Sequence, residues 1–192
     1  VDLDVQRGDG ILVVGGNGSG KSTLAWTIAG LVTPTAGTCL LDGKPVARQV
    51  GRVGLAFQQS RLQLHRRTVG SEIASWGGAS VGSGAVGKAL DAVGLDRAMA
   101  TRSIESLSGG QARRVVLAGI MASRPRLVVL DEPLAGLDPT GRLEVVELLA
   151  ALRASGVTLV VISHDVEGMD AVCSRVVRLD GGRIVEPIEA SR

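Results

Sequence analysis

The chain has 192 residues, a formal net charge of only +2, two cysteines, 2% aromatic residues and no tyrosine. This length suits one α/β domain. The near-neutral charge and the scarcity of aromatic rings argue against nucleic-acid binding. No apolar run approaches the roughly 20 residues that cross a bilayer, so we expect any membrane role to be exerted through partners. Cys39 and Cys173 lack ligand-like spacing, which favours two free thiols in a reducing compartment.

The first predicted elements lead into a glycine-rich turn. Alternating apolar residues over 1–5 predict a short strand. Because the chain begins at Val1 inside the pattern of a domain, we expect an N-terminal segment to be missing. An apolar run at 11–14 predicts a buried strand, and 23–29 is compatible with a helix. Between them stands Gly-Gly-Asn-Gly-Ser-Gly-Lys-Ser-Thr, which has the spacing of a phosphate-binding loop.

Each part of this loop has a chemical task. Glycines let successive backbone N–H groups turn inward around an anion, and the following helix points its positive end there. The lysine reaches the β- and γ-phosphates, and the next hydroxyl holds Mg²⁺. In a chain with 27 glycines, a glycine-rich turn could simply connect two elements without binding a ligand. However, one of only three lysines falls at the required position. The predicted nucleotide-binding residues are Gly15, Asn17, Gly18, Ser19, Gly20, Lys21, Ser22 and Thr23.

The middle of the chain changes character. Residues 38–41 and 44–47 predict a small hairpin, and 52–57 predict a strand running into Gln58. Helical spacing follows at 68–76 and 86–95, with a glycine-rich connection at 77–87. We therefore predict a short helical subdomain at about 60–106, inserted into a core formed by about 1–59 and 107–192.

The last part returns to alternating helices and strands. A helix is predicted from the Ser-Gly-Gly-Gln run to about Met121, with Arg113 and Arg114 exposed and Val116, Leu117 and Ile120 buried. An apolar strand at 127–130, a helix at 139–153 and a strand at 157–162 follow. This alternation predicts a mainly parallel sheet that binds its ligand at the carboxyl ends of the strands.

Polar residues stand at those strand ends. Asp131 is predicted to act on Mg²⁺ together with Ser22 and the Gln58 amide, because Mg²⁺ prefers oxygen ligands. Glu132 is assigned as the general base, or water-orienting group, for attack on the γ-phosphorus. His164 is assigned to the γ-phosphate and the attacking water. Taken alone, a histidine after a strand is more often structural, and Gln58 is an ordinary polar residue, so both assignments depend on this context.

The run Leu107-Ser108-Gly109-Gly110-Gln111 resembles the signature motif of the ATP-binding cassette ATPases. Other matches stand in the family's order: Walker A at 15–23, Q-loop at Gln58, Walker B at 127–132, D-loop at 135–138 and switch histidine at His164. The resemblance implies a P-loop NTPase fold, with a mainly parallel sheet flanked by helices and a helical subdomain between Q-loop and signature motif. It implies ATP and Mg²⁺ as cofactors. Two cassettes would pair head to tail, adding Ser108, Gly109, Gly110, Gln111 and Asp138 to the nucleotide contacts.

A narrower resemblance is to the energy-coupling-factor ATPases, which drive uptake of vitamins or of cobalt and nickel. The resemblance is carried by 53–58, Gln63-Leu64, Thr68-Val69, 72–74, and 135–139 with Gly141-Arg142. The acidic residues usual before Gln63 are absent here. The resemblance implies a peripheral ATPase at the cytoplasmic face of the cell membrane. Its partners would be transmembrane transporter subunits and a second cassette, identical or different.

Two other interpretations of the function stay open. One is a soluble cassette ATPase of DNA repair or translation, although the long coiled-coil insertion or basic linker of such proteins is absent. The other is a degenerate nucleotide-binding module, although the lysine, acidic and histidine positions are all filled. The family's aromatic residue upstream of Walker A, which stacks on adenine, has no counterpart in 1–10. A stacked base contributes about 1–3 kcal/mol.

Overall fold

The computed structural model describes residues 1–49, 51–77, 83–164 and 166–189. The strands are β1 (Gly10–Val14), β2 (Leu40–Leu41), β3 (Lys44–Pro45), β4 (Val53–Ala56), β5 (Leu127–Asp131), β6 (Thr158–Ile162), β7 (Arg175–Asp180) and β8 (Arg183–Glu189). The helices are α1 (Lys21–Ile28), α2 (Val69–Trp76), α3 (Ser83–Ala92), α4 (Gly109–Ala122) and α5 (Pro139–Ala154). Among these described residues, none of the helices combines the length and apolar character that a membrane span requires.

Six strands form one sheet in the order β4-β5-β6-β1-β7-β8. Strands β5, β6, β1 and β7 run parallel, and β8 returns antiparallel to β7. The central strands are buried on both faces: Ile11, Leu12 and Val13 are almost inaccessible to solvent. Continuous apolar runs are typical of such doubly covered parallel strands, and the mainly parallel α/β fold predicted from the sequence is confirmed.

The hairpin predicted at 38–47 is also present, as the two-stranded sheet of β2 and β3. The strand predicted over 1–5 is wrong, because residues 1–6 form no regular structure. Leu3 and Val5 pack against the core as single side chains, and a turn closes where the Gln6 amide donates to Asp9 Oδ2 (2.8 Å). The alternation of apolar residues here reflects packing without pairing to a neighbouring strand.

The hairpin of β7 and β8 was not predicted. Its turn contains Gly181 and Gly182 at φ angles of 50° and 77°, the left-handed conformation that tight hairpin turns require. The run Asp180-Gly181-Gly182 after alternating Val177 and Leu179 is the signal that would have indicated it.

The chain divides into two compact units, Val1–Leu55 with Arg126–Arg192, and Ala56–Pro125. The sequence placed the boundaries of the second unit at about 60 and 106, so the signature helix α4 was assigned to the core. In the structure α4 packs on α2 and α3 and belongs to the second unit. The physical reason is its apolar face: Val116, Leu117 and Ile120 are buried as predicted.

Arg113 and Arg114 were predicted to be exposed, but both are half-buried. Burial lowers the pKa of the Arg113 guanidinium. Part of the glycine-rich connection predicted at 77–87 lies outside the described residues, and α3 begins within the rest of it.

Candidate functional site

The glycine-rich loop joins the end of β1 to the start of α1. Gly18 and Gly20 have φ angles of 76° and 101°, which side chains rarely tolerate. The loop folds back on itself, because the Ser19 amide donates to the Gly16 carbonyl (3.2 Å). The helix α1 begins directly after the loop, with a first hydrogen bond from the Leu24 amide to the Gly20 carbonyl (2.9 Å). The positive end of its dipole therefore faces the loop. This arrangement suits an anion.

Lys21 lies against the loop that precedes it. Its Nζ donates to the carbonyl oxygens of Gly15 (2.7 Å) and Gly16 (2.8 Å). An ammonium group has three donors, so these two bonds orient the charge and leave a third N–H for a phosphate oxygen.

The unpredicted hairpin of β7 and β8 packs against the loop. A Cβ atom on Gly15 would lie 2.3 Å from the Leu179 carbonyl oxygen and 2.6 Å from Ser19 Oγ. The Gly182 amide also donates to the Ser19 carbonyl (3.0 Å). Close approach of two backbones therefore requires glycine at position 15.

Ser22 and Asp131 offer a hydroxyl and a carboxylate oxygen, the donor chemistry that Mg²⁺ prefers. Asp131 ends β5 and is half-buried. Burial, and then the charge of Glu132, raise the pKa of Asp131, while the charge of Lys21 lowers it. A carboxylate whose charge is disfavoured in this way is stabilised by a neighbouring cation, so these residues fit a magnesium ion.

Glu132 has a left-handed backbone, with φ of 50°, which is uncommon for a residue with a side chain. Its amide donates to the Ile162 carbonyl (2.8 Å) at the end of β6. The register places Asp131 opposite Ile162, so the residues after β5 and after β6 lie side by side. Strained backbones of this kind cluster at functional sites.

The Glu132 carboxylate pairs with the segment after β6. Oε1 lies 2.9 Å from His164 Nδ1 and accepts from the His164 amide (3.2 Å). Oε2 accepts from the Ser163 hydroxyl (3.3 Å). The Glu132 side chain is 15% exposed and that of His164 is 69% exposed. Glu132 and His164, predicted to act together, are therefore in contact. Ser163 is a further partner, to which the sequence motifs give no role.

The structure thus brings Lys21, Asp131, Glu132 and His164 together in the first unit. Asp138, in the same unit, caps α5 by accepting from the Gly141 amide (2.9 Å). Gln58 and the signature residues belong to the second unit.

The signature residues begin α4 with a capping box. Ser108 Oγ accepts from the Gln111 amide (3.2 Å), and Gln111 Oε1 accepts from the Ser108 amide (3.0 Å). A Cβ atom at Gly109 or Gly110 would meet no heavy atom within 4 Å. No neighbouring group therefore crowds these two glycines at the positive end of α4.

A family model described as ABC transporter matches residues 1–135. The chain belongs to the ABC transporter family. The resemblance inferred from the sequence motifs is confirmed, and the fold is that of an ABC ATPase P-loop cassette.

Among its curated relatives, the cassette is 53% identical over 193 residues to an uncharacterized ABC transporter ATP-binding protein of Mycobacterium tuberculosis. That match covers 100% of this chain but only 28% of the relative. It is 42% identical to the energy-coupling factor transporter ATP-binding protein EcfA2 of Symbiobacterium thermophilum, covering 96% of this chain and 68% of the relative.

Two solved structures are similar to the cassette. CbiO1 of Clostridium perfringens, part of the ABC transporter complex CbiONQ, has a TM-score of 0.88 and 30% identity, covering 97% of this chain and 79% of that one. The dimeric cassette MJ0796, in a post-hydrolysis state bound to ADP and Pi, has a TM-score of 0.85 and 26% identity, covering 98% and 88%.

Proposed function

We propose that this cassette binds ATP with Mg²⁺ and hydrolyses it to ADP and phosphate, supplying energy to a membrane transporter. The observation that carries the proposal is the paired Glu132 carboxylate and His164 imidazole beside Asp131 and Lys21, at the carboxyl ends of β1, β5 and β6. Ligands of open α/β sheets bind at this edge.

Binding would begin with the loop and its lysine. Backbone N–H groups between Gly15 and Lys21 receive the phosphates, and Lys21 Nζ adds its remaining donor to the β- and γ-phosphate oxygens. Ser22 Oγ, Asp131 and the Gln58 amide oxygen would hold the magnesium ion. When bound, that ion neutralises charge on the phosphates.

Glu132 would then act on the attacking water. An oxygen of its carboxylate accepts a proton as the water oxygen bonds to the γ-phosphorus and the bond to the ADP oxygen breaks. His164 holds that carboxylate through Nδ1, and its exposed ring leaves Nε2 for the γ-phosphate or water. A base placed in this way contributes about 10²–10⁴-fold in rate, or roughly 3–5 kcal/mol.

A second cassette, identical or different, would complete the site. MJ0796 is dimeric with ADP and Pi bound, which supports a head-to-tail pair here. Ser108, Gly109, Gly110 and Gln111 at the positive end of α4 would receive the γ-phosphate of ATP bound to the partner, with Asp138 near the same interface. ATP would close the pair and hydrolysis would open it.

We further propose attachment to transmembrane subunits at the cytoplasmic face of the membrane, in an importer of the energy-coupling-factor type. EcfA2 is named as a transporter ATP-binding protein and CbiO1 as part of CbiONQ, which supports this class above a soluble repair or translation ATPase. The cargo would then be a vitamin or a metal ion, recognised by the membrane subunits.

The test is Glu132→Gln, with Glu147→Gln as a matched control on the exposed face of α5. The first variant should keep Mg·ATP binding, accumulate an ATP-dependent dimer by gel filtration and lose at least 100-fold in turnover, and Lys21→Ala should weaken nucleotide binding itself. The control should retain parental hydrolysis. Unchanged hydrolysis in Glu132→Gln removes Glu132 from its role, and absence of Mg·ATP binding in the full-length parent overturns the proposed function.

A further inference from the structure

Two guanidinium groups hold the residues that immediately precede Ser108. Arg102 donates from Nε to Ser106 Oγ (3.1 Å) and from Nη2 to the Ser106 carbonyl oxygen (3.3 Å). Arg61 donates from Nη2 to the next carbonyl, that of Leu107. Two consecutive carbonyl oxygens are therefore paired with cations at the entrance to the signature motif.

Arg61 lies in a short helical turn three residues after Gln58. Residues Ser60–Gln63 form a 3-10 helix that packs against α4. Gln63 is buried, and its Oε1 accepts from the Phe57 amide (2.8 Å). Because the backbone on both sides of Gln58 is held in this way, the Arg61 side chain extends from a defined position.

The contact with Leu107 acts on Ser108 through peptide geometry. The Leu107 carbonyl and the Ser108 N–H belong to one planar peptide unit. Arg61 holds the oxygen of that plane, and Gln111 Oε1 accepts from its N–H (3.0 Å). With both ends bonded, the plane has little freedom to rotate, and the negative end of its carbonyl faces a cation.

We propose that Arg61 is a positioning residue that couples the segment after Gln58 to the signature motif and keeps Ser108 oriented for the γ-phosphate of ATP held by a partner cassette. The inference rests on the proposed function. Arg102 has the same local task at Ser106. A change in the position of the turn at 60–63 would then reach Ser108 through one side chain.

The test is Arg61→Gln, made in full-length protein that also carries Glu132→Gln. Arg66→Gln is the matched control, because Arg66 is exposed in the same unit and uses its backbone amide, which Arg66→Gln retains, in its bond to Glu72. Three quantities are measured: hydrogen exchange of the amides at 108–112, the ATP concentration for half-maximal dimerisation, and nucleotide affinity below the dimerisation range. Thermal unfolding midpoints establish that each variant is folded.

Arg61→Gln should accelerate exchange at 108–112 and raise the ATP requirement for dimerisation about tenfold, the effect of losing one hydrogen bond from a charged donor. Nucleotide affinity of the single chain should stay within about twofold, since Walker A is untouched. Arg61→Lys should recover part of the loss, because an ammonium can still donate to the Leu107 carbonyl.

Unchanged exchange in Arg61→Gln overturns the positioning role. Faster exchange with a parental ATP requirement overturns the coupling to the partner's γ-phosphate, as does an equal effect in Arg66→Gln. If the parent binds Mg·ATP but forms no dimer with a second cassette, the proposed sandwich itself fails. The exchange measurement then still decides whether Arg61 holds Leu107.

Discussion

Glu72 is a buried carboxylate that joins a loop to a helix in the second unit. Its side chain is enclosed, with 2% of the residue exposed. Oε2 accepts from the amides of His65 and Arg66, both at 2.7 Å, and Oε1 accepts from Trp76 Nε1 (2.8 Å). A buried charge is tolerated when donors surround it in this way.

Glu72→Gln keeps the shape of the side chain but replaces one of its two acceptor oxygens with an NH₂ group. An amide presents oxygen on one side only, so either the two backbone donors or the indole donor of Trp76 must face an NH₂ group. Losing one bond to a charged acceptor costs about 1.5–3 kcal/mol, and weakening the others brings the expected destabilisation to about 2–4 kcal/mol. Trp76→Phe removes the conflicting donor, so the double variant should cost about 1–2 kcal/mol less than the sum of the single variants.

The assay is urea unfolding followed by far-UV circular dichroism on the parent, both single variants and the double variant. Glu105→Gln is the control, because Glu105 is exposed in the same unit; it should stay within about 0.5 kcal/mol of the parent. If the single effects add to within about 0.5 kcal/mol, or if Glu72→Gln is as mild as the control, the three-donor account of this carboxylate is wrong.

Two further changes test packing and burial. Gly119→Ala should destabilise the protein by about 1–3 kcal/mol, because its Cβ would lie 2.9 Å from the Trp76 ring. In Gly84→Ala the new Cβ meets nothing within 4 Å, so this control should be neutral or slightly stabilising. Thermal unfolding midpoints distinguish the two variants. Burial raises the pKa of Cys173 to about 12, above that of an exposed thiol at about 8.5. The unfolded chain therefore loses this proton first, and stability should fall by up to about 1.4 kcal/mol per pH unit between about 9 and 12. Cys173→Ala should show a shallower fall in melting temperature over that range, and an equal slope contradicts the burial argument.

The residues of the candidate site could be named from the sequence because its motifs are local. A phosphate-binding loop is defined by backbone freedom at Gly18 and Gly20 and by the position of Lys21, all within a few residues. The helix starts at Thr68 and Ser108 are local as well, since each side chain caps the amide three residues on. Apolar runs buried on both faces likewise identified β1, β5 and β6 to within one or two residues.

Prediction failed where burial and pairing depend on distant segments. Residues 1–5 alternate like a strand, but residues 1–6 form no regular structure. The signature helix α4 was assigned to the core by its place in the chain, and its apolar face instead packs on α2 and α3.

The amino-acid order alone therefore determined the motifs, their spacing and the cassette family, because covalent proximity sets which donors and charges share a loop. Tertiary structure decided which motifs meet. Parallel pairing of β5 with β6 sets Glu132 beside Ser163 and His164, and the hairpin turn at 181–182 braces the loop through the Ser19 carbonyl. Arg61 reaches Leu107 across 46 positions of sequence. These contacts arise from the packing of segments far apart in the chain, which no local pattern encodes.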